Sequence, residues 1–289
     1  MSYLIVENLT HVYGVGSPDN KVAIKNLSFS LEKVETLGII GHTGSGKSTL
    51  VNHLNGLMKP SSGSVLLDGE DIWKNPKEIK KIRGKVGLVF QYPEYQLFEE
   101  TVFKDIAFGP TNLGIQGKEL TAIVNETVEL MQISKDLLEK SPFDLSGGQK
   151  RRVAIAGVLA MRPELIVFDE PTAGLDPIGR ETIFKAIKDY KEKNNATVII
   201  VSHSMEDIAA ISDKVLVMNN GEIAMFGNTR EIFSRSDKLK ELGLGVPMIT
   251  DVFAKLSENY PEISSSPLTV SEGVNALLSF LEKGGVRND

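Results

Sequence analysis

One glycine-rich loop constrains the fold of this chain more than any other feature of its sequence. The segment GHTGSGKST, which begins at Gly41, fits the pattern G-x-x-x-x-G-K-[ST]. The apolar run ETLGII before it has the length of a strand, and STLVNHLNGL after it has apolar residues at helical spacing. A strand, a glycine loop and a helix in this order predict an α/β fold whose loop surrounds phosphate oxygens with backbone N–H groups.

The residues of this loop have separate predicted roles in holding the phosphates of a nucleotide. Glycine lets the backbone approach a phosphate because it has no Cβ. Lys47 is expected to reach the β- and γ-phosphates of ATP, and the Ser48 hydroxyl is expected to bind Mg²⁺. A glycine-rich turn that holds no ligand is the alternative. The predicted nucleotide-binding residues of the loop are Gly41, Gly44, Ser45, Gly46, Lys47, Ser48 and Thr49.

Two acidic residues follow the run LIVF, which begins at Leu165. A continuously apolar run is typical of a buried parallel strand, and ligands bind where such strands end. Asp169 is therefore the predicted Mg²⁺ ligand, directly or through water. Glu170 is the candidate that orients or deprotonates the attacking water. An isolated Asp-Glu pair would by default be two solvated acids at the start of a loop.

A second candidate anion site lies at LSGGQ, from Leu145 to Gln149. Ser146 can cap the helix predicted over KRRVAIAGVLAM, and the glycines expose N–H groups at its positive end. The sequence LSGGQKRR resembles the signature of the ATP-binding-cassette (ABC) ATPases. The resemblance implies that two cassettes pair head to tail, with the signature of one closing over the γ-phosphate held by the other. The residues implied in this contact are Leu145, Ser146, Gly147, Gly148 and Gln149.

The same resemblance implies roles for four further residues. Gln91 ends the run KVGLVF and is similar to the glutamine that contacts Mg²⁺ and water and moves with the transport partner. Asp176 ends AGLD, which resembles the loop that crosses the dimer interface. His203 follows VIIVS and resembles the histidine that senses the γ-phosphate; a structural histidine is the alternative. Tyr13 stands where the family places an aromatic ring under adenine; strand packing is its alternative.

The segment QYPEYQLFEETVFKDIAFGPTNLG, which begins at Gln91, narrows the resemblance. It resembles the ATPases of energy-coupling factor (ECF) transporters, which include cobalt-transport ATPases, and is most similar to the second, A-prime ATPase. ECF transporters combine two related ATPases with a transmembrane T-component and a substrate-binding S-component, and they import vitamins or transition-metal ions. The resemblance implies a heterodimer at the cytoplasmic face of the membrane, with ATP and Mg²⁺ as its cofactors.

Several alternatives to this function stay open. One is the ATPase of a conventional ABC importer or exporter, working as a homodimer, and another is a cobalt or nickel uptake system. A non-transport ABC ATPase that acts on DNA or ribosomes is a third. A regulatory cassette that binds ATP without hydrolysing it is the fourth. Lys47, Glu170 and His203 are all retained, which disfavours the last alternative.

Acidic and aromatic residues alternate just after Gln91. Glu94, Glu99 and Glu100 are interleaved with three aromatic side chains: Tyr92, Tyr95 and Phe98. We predict that this surface is a groove for a helix of the T-component, with Glu94 or Glu99 pairing with an arginine of that helix. An exposed acidic loop without a partner is the alternative.

Composition excludes several classes of protein. The 289 residues carry a net charge of −6, which disfavours a nucleic-acid surface. The absence of cysteine excludes disulfides and thiolate metal sites. The longest apolar runs are about half of what a membrane span requires, so we expect a soluble chain with membrane contact only through partners. The four histidines have no ligand spacing, and His42 receives no predicted role.

The chain is expected to divide at residue 227. Residues 1–227 are predicted to form the cassette, with a mixed sheet as its core, an antiparallel β edge and a helical subdomain inserted at about 92–161. A hairpin is predicted at Asn220–Gly221. Residues 228–289 read as a helical extension in which Thr269 and Glu272 match a capping box. Packing of this extension on the core or on the partner ATPase is favoured over a regulatory, ligand-binding tail.

Overall fold

Two β-sheets form the framework of the protein, whose computed structural model describes residues 2–16, 18–263 and 266–282. The first sheet is antiparallel, with the strand order β2-β1-β4-β5. The second has the order β10-β9-β3-β8-β7-β6 and is parallel except for the β9–β10 hairpin. The strands are β1 (Leu4–Tyr13), β2 (Lys21–Leu31), β3 (Thr36–Gly41), β4 (Ser62–Leu67), β5 (Glu70–Asp71), β6 (Val86–Val89), β7 (Leu165–Asp169), β8 (Thr197–Val201), β9 (Lys214–Asn219) and β10 (Glu222–Asn228).

The second sheet is buried on both faces, which explains why its central strands are continuously apolar. Successive side chains of a strand point to opposite faces of the sheet. In β7, Leu165 and Val167 pack against the antiparallel sheet and the first helix, whereas Ile166 and Phe168 pack against the other helices. The two sides of the sheet therefore carry two separate apolar cores.

Helices cover the second sheet and fill most of the segment between β6 and β7. Residues 92–161 contain three α-helices and short 3₁₀ turns, in agreement with the helical insertion predicted there. The helices are α1 (Lys47–Leu54), α2 (Ile79–Lys85), α3 (Val102–Asn112), α4 (Gly117–Leu130), α5 (Gly147–Leu159), α6 (Pro177–Asn194), α7 (Met205–Ile211), α8 (Thr229–Ser234), α9 (Ser236–Glu241), α10 (Met248–Asn259) and α11 (Val270–Glu282). Among these described helices, none is both long and apolar enough to cross a membrane.

The hairpin predicted at the end of the cassette joins β9 to β10. Asn220 and Gly221 have φ angles of 47° and 79°. Positive φ at both central residues is the requirement of a type I′ turn, which matches the twist of the flanking strands. The predicted antiparallel edge is also present, because β4 pairs with β1 and β5 pairs with β4. The fold class expected from the sequence is therefore confirmed.

The C-terminal helices pack on the cassette. Phe233 and Leu239 are fully buried in the same apolar core as the helical insertion, and Phe253 of α10 is also buried. Half of the predicted capping box forms, since the N–H of Glu272 donates to Oγ1 of Thr269 over 3.2 Å. The Glu272 carboxylate instead accepts from the N–H of Leu268 over 2.9 Å. The predicted domain boundaries stay predictions, and residues 1, 17, 264–265 and 283–289 lie outside the described residues.

Candidate active site

Four neighbouring parallel strands carry the predicted motifs at one edge of the second sheet. Strand β3 ends at Gly41, β7 ends at Asp169, and β8 and β6 end two residues before His203 and Gln91. The strands are adjacent in the order β3-β8-β7-β6. Because the carboxyl ends of parallel strands share one edge, residues far apart in the sequence meet there.

These residues line one cleft of about 820 Å³, a volume in the range of pockets that bind small molecules. Of the predicted loop residues, Gly41 and Ser45 are not part of its lining; a Cβ on Gly41 would lie 2.4 Å from the carbonyl oxygen of Met218. The predicted residues that line the cleft are Tyr13, Gly44, Gly46, Lys47, Ser48, Thr49, Gln91, Asp169, Glu170 and His203. Sequence reasoning missed Lys21, Val22, Ala23, Thr43, Asn220 and Gly221, which line it as well.

Lys47 is buried at the start of α1, where its ammonium group is held by the glycine loop. Its Nζ donates to the carbonyl oxygens of Gly41 and His42, over 2.6 and 2.8 Å. Burial lowers the pKa of Lys47, while the nearby carboxylates of Glu170 and Asp169 oppose that shift. An ammonium group has three donors, so one donor remains for a further acceptor in the cleft.

Glu170 has an unusual backbone and an unusual side-chain environment. Its φ angle is +52°, in the left-handed region, and its N–H is tied to the carbonyl of Val201 over 3.0 Å. Its Oε1 is buried and makes no hydrogen bond to any described residue. Burial is the main cause that raises the pKa of Glu170 to about 7. The charge of Asp169 adds to this shift, and the charge of Lys47 opposes it. The carboxyl is therefore able to exchange a proton near neutral pH.

The imidazole of His203 faces this carboxyl. Its Nε2 lies 3.7 Å from Oε1 of Glu170, and more than half of the His203 side chain is exposed. Partial burial is the main cause that lowers the pKa of His203, and the charges of Lys47 and His42 lower it further. The ring is consequently neutral at pH 7, with one nitrogen as a donor and the other as an acceptor.

The groups predicted to hold Mg²⁺ lie in the same cleft. Ser48, Gln91 and Asp169 would supply a hydroxyl, an amide oxygen and a carboxylate. Burial raises the pKa of Asp169, and the charge of Lys47 opposes that shift. Mg²⁺ prefers hard oxygen ligands and takes few of them from protein, so this set of donors fits the ion.

One end of the cleft is apolar. Tyr13 and Val22 are 42% and 54% exposed, and both line the cleft. The Tyr13 hydroxyl lies 3.2 Å from Oγ1 of Thr49, and its ring rests edge-on against His11, 4.5 Å between ring centres. The ring of His53, which is fully buried, also packs against His11, with 4.8 Å between the ring centres. These contacts hold the Tyr13 ring in place, and the exposed part of the ring is suited to stacking against a flat base.

The signature segment lies outside this cleft. Ser146 caps α5, since its Oγ accepts from the N–H of Gln149 over 3.4 Å while Oε1 of Gln149 accepts from the N–H of Ser146 over 2.9 Å. A Cβ added to Gly147 or Gly148 would meet no described atom within 4 Å. Asp176 similarly caps α6, accepting from the N–H of Gly179 over 2.7 Å. The N-termini of α5 and α6 are therefore both capped, and the capping residues Ser146 and Asp176 are exposed.

The two predicted docking residues have different surroundings. Glu94 is half-buried and pairs with Arg151, whose hydrogen bonds lower the pKa of Glu94 although burial would raise it. The N–H of Glu99 donates to Oδ2 of Asp105 over 3.0 Å. Beside them lies a second cleft of about 630 Å³, where Phe98 and Phe108 stand at right angles with ring centres 4.8 Å apart.

Comparison with known proteins places the chain in a family. A family model described as "ABC transporter" matches residues 24–173. An energy-coupling factor transporter ATP-binding protein EcfA2 from Caldanaerobacter subterraneus subsp. tengcongensis is 52% identical over 283 residues, 98% of each chain. An EcfA2 from Clostridioides difficile is 49% identical over 285 residues, covering 98% of this chain and 99% of the relative.

Solved structures give the same assignment. The structure of cbiO1 from Clostridium perfringens, described as part of the ABC transporter complex cbiONQ, matches with a TM-score of 0.75 and 36% identity, over 91% of this chain and 97% of that one. A dimeric ATP-binding cassette, MJ0796, bound to ADP and Pi after hydrolysis, matches with a TM-score of 0.71 and 29% identity, over 78% and 99%. The chain belongs to the ABC transporter ATPases and, within them, to the ATP-binding subunits of energy-coupling factor transporters.

Proposed function

We propose that this chain hydrolyses ATP at the cleft described above and thereby powers the import of a vitamin or another micronutrient. The observation that carries this proposal is the meeting of Lys47, Asp169, Glu170 and His203 in one cleft at the ends of adjacent strands. Their types and positions match what phosphoryl transfer needs. The phosphates must be held by a cationic side chain and a metal ion, the attacking water must be positioned, and the developing negative charge must be stabilised.

Binding begins with the triphosphate in the glycine loop. Lys47 exchanges its contacts with the carbonyls of Gly41 and His42 for phosphate oxygens, while loop N–H groups bind the remaining ones. Adenine stacks on Tyr13 at the apolar end of the cleft. Ser48, Asp169 and Gln91 are the residues that would hold Mg²⁺. When bound, this ion would neutralise the negative charge that develops on the phosphates.

Hydrolysis follows with Glu170 and His203 on either side of the attacking water. Glu170 accepts a hydrogen bond from the water and takes its proton, because its pKa lies near 7. The neutral imidazole of His203 orients the water or the γ-phosphate and contacts Glu170 at 3.7 Å. Gln91 orients the same water and senses displacement of the segment that follows it.

A second ATPase completes the site. Leu145, Ser146, Gly147, Gly148 and Gln149 lie outside the chain's own cleft, so we propose that they close over the ATP of the partner, as the partner's signature does here. Asp176, which caps α6, would lie at the interface of this pair. A paralogous ATPase is the proposed partner, and a second copy of this chain is the alternative.

The membrane partners contact the cassette at the cleft beside α3. Phe98 and Phe108 expose apolar surface there, and Glu99 lies next to them. We propose that a helix of the T-component enters this cleft and that an arginine of the helix pairs with Glu99. Glu94 is part of the same proposed surface, although its carboxylate already pairs with Arg151. The chain would thus be held at the cytoplasmic face of the membrane, with an S-component selecting the substrate.

Two single variants separate docking from internal structure. Glu99→Ala should uncouple transport from ATP hydrolysis in the reconstituted complex, because it removes a charge from the docking surface alone. Glu94→Ala should also disturb the chain itself, because it leaves Arg151 unpaired. Normal transport per ATP in Glu99→Ala would exclude Glu99 from docking.

The proposed assembly is tested by purifying the chain from detergent-solubilised native membranes and identifying stoichiometric partners by mass spectrometry. A second ATPase, a polytopic membrane protein and small membrane proteins are the expected result. Recovery of the chain with only itself and a conventional permease would favour a conventional importer. Recovery with ribosomes or DNA would contradict transport, and we propose no nucleic-acid partner because the chain is acidic.

A further inference from the structure

Arg151 is a buried arginine on α5, just after the signature segment ends at Gln149. Its Nε donates to Oε2 of Glu94 over 2.9 Å, and its Nη2 donates to Oε1 of the same carboxylate over 2.6 Å. The guanidinium carbon lies 5.6 Å from the centre of the Tyr92 ring. A two-pronged ion pair therefore joins the signature helix to the segment directly after Gln91.

The third nitrogen of the same guanidinium reaches another functional segment. Nη1 of Arg151 donates to the main-chain carbonyl of Ala173. Ala173 lies midway between Glu170 and Asp176, in the loop between β7 and α6. Its own N–H donates to the carbonyl of Glu170 over 3.3 Å. One arginine is thus two hydrogen bonds away from the backbone of the proposed base.

The loop is also held from the opposite side. The Thr172 hydroxyl donates to Oδ2 of Asp207 over 3.3 Å, and Oδ1 of Asp207 accepts from Nε of Arg180 over 2.7 Å. Nη2 of Arg180 donates to Oγ of Ser204, the residue after His203, over 2.7 Å. The loop after Glu170 is therefore fixed between the helix that follows His203 and the helix that carries Arg151.

We propose that Arg151 is a positioning residue that transmits displacement of residues 91–96 to Glu170. This inference rests on the proposed roles of Glu170 and Gln91. A buried guanidinium that loses its carboxylate becomes an unpaired charge, so Arg151 follows Glu94 when that segment moves. Since Arg151 also holds Ala173, its displacement shifts the turn at Glu170. Partner docking beside Glu94 would in this way adjust the geometry of hydrolysis.

The chemistry of the contact requires arginine. Its planar guanidinium offers donors in three directions, which here serve both carboxylate oxygens and one carbonyl. A lysine ammonium can keep the charge, but it cannot span Glu94 and Ala173 with the same fixed geometry. Arg151→Lys is consequently a test of positioning, because charge and approximate length are retained.

The test uses the assembled transporter with Arg151→Lys and Arg151→Gln. We expect kcat for ATP to fall by about 10- to 100-fold, because small displacements of a catalytic group are costly. KM for ATP and the thermal shift caused by Mg-ATP should stay close to those of the unchanged protein, since Arg151 does not line the nucleotide cleft. A loss of structure alone would instead alter both of these.

A second variant keeps the test decisive if the arginine variants fold poorly. Glu94→Gln retains an acceptor for Arg151 and should also lower kcat at constant KM. The double variant of Arg151→Gln and Glu94→Gln should be no slower than Arg151→Gln alone, because both act through one contact. Arg162→Gln is the matched control: its ion pair with Glu126, over 2.6 Å, is exposed, and its loss should leave kcat unchanged.

Glu170→Gln is measured in parallel to separate this inference from the proposed function. If Glu170→Gln abolishes turnover while Arg151→Lys and Glu94→Gln retain normal kcat, the positioning role is wrong and the proposed function stands. If Glu170→Gln turns over normally, the proposed function itself is wrong. A lower kcat in the Arg151 variants that is matched by Arg162→Gln would also overturn the inference.

Discussion

The ring of His42, in the glycine loop, is hydrogen-bonded to the main-chain carbonyl of Leu242, in the C-terminal extension. A carbonyl oxygen only accepts, so Nε2 of His42 is the protonated nitrogen. The backbone carbonyl of His42 accepts from Lys47. Six residues after Leu242 in the extension, the N–H of Met248 donates to Oε1 of Glu206 over 3.2 Å. The extension thus contacts both the glycine loop and the helix after His203.

Gly243 lies directly against the His42 ring, so a side chain at this position would disturb the hydrogen bond to Leu242. Its φ angle is +67°, and an added Cβ would lie 2.8 Å from Nε2 of His42. Gly243→Ala should therefore strain the backbone and displace the imidazole, which costs the hydrogen bond to Leu242. We expect the free energy of unfolding to fall by about 1–3 kcal/mol in denaturant titrations, from strain and from the lost hydrogen bond.

The control for this prediction is Gly114→Ala. Gly114 has a φ angle of +91°, but no described atom lies within 4 Å of an added Cβ. Gly114→Ala should therefore lower the free energy of unfolding through backbone strain alone, with the hydrogen bond between His42 and Leu242 intact. In a His42→Ala background, the two glycine variants should become equally destabilising. Equal costs of Gly243→Ala and Gly114→Ala in the unchanged protein would mean that the His42 contact contributes nothing.

A raised pKa at Glu170 makes stability depend on pH. The unfolded carboxyl titrates near 4.5 and the folded one near 7, so the native state binds more protons between these values. The free energy of unfolding therefore decreases as pH rises through this window. Relative to Glu170→Gln, which does not titrate, the unchanged protein should lose about 2 kcal/mol between pH 5.5 and 8.

The measurement is a pair of denaturant titrations at each pH, without nucleotide, on the isolated chain. Because Asp169, Lys47 and His203 are present in both proteins, their contributions largely cancel in the difference. Parallel pH curves for the two proteins would show that the Glu170 carboxyl has an ordinary pKa in the folded chain.

Local patterns were sufficient to predict the strand ends of the active site. The loop at Gly41, the acids after β7 and the residues after β6 and β8 each follow an apolar run, and such runs form the interior of a parallel sheet. Adjacent strand order then follows from the fold class. The prediction that these residues meet at one edge of the sheet therefore depended on short-range signals, each readable within about ten residues.

Long-range partners could not be predicted in this way. Arg151 and Glu94 are 57 residues apart, and His42 and Leu242 are 200 apart. The alternation of acidic and aromatic residues after Gln91 predicted that Glu94 is available to another protein, with an exposed acidic loop as the alternative. Its pairing within the chain depends on how α5 packs against the segment after β6, which periodicity does not specify.

Replacement of Glu170 tests the chemistry directly. Glu170→Gln keeps the size of the side chain but cannot take a proton from water. ATP hydrolysis by the assembled transporter should fall by about 10²–10⁴-fold, the usual contribution of a general base. ATP binding, measured as the thermal shift caused by Mg-ATP, should be retained, because Lys47 and the glycine loop are intact. Near-normal turnover would remove Glu170 from the role of base.

Tyr13 provides a test of where adenine binds. Its ring is 42% exposed at the apolar end of the cleft. Tyr13→Ala should weaken ATP binding by about 5- to 150-fold, because stacking of a base on an aromatic ring contributes about 1–3 kcal/mol. Tyr13→Phe keeps the ring and should bind ATP nearly as well, losing only the hydroxyl contacts with Thr49 and Met58. Calorimetry with inorganic tripolyphosphate is the control. It lacks a base, so Tyr13→Ala should bind it normally, and an equal loss for both ligands would place adenine elsewhere.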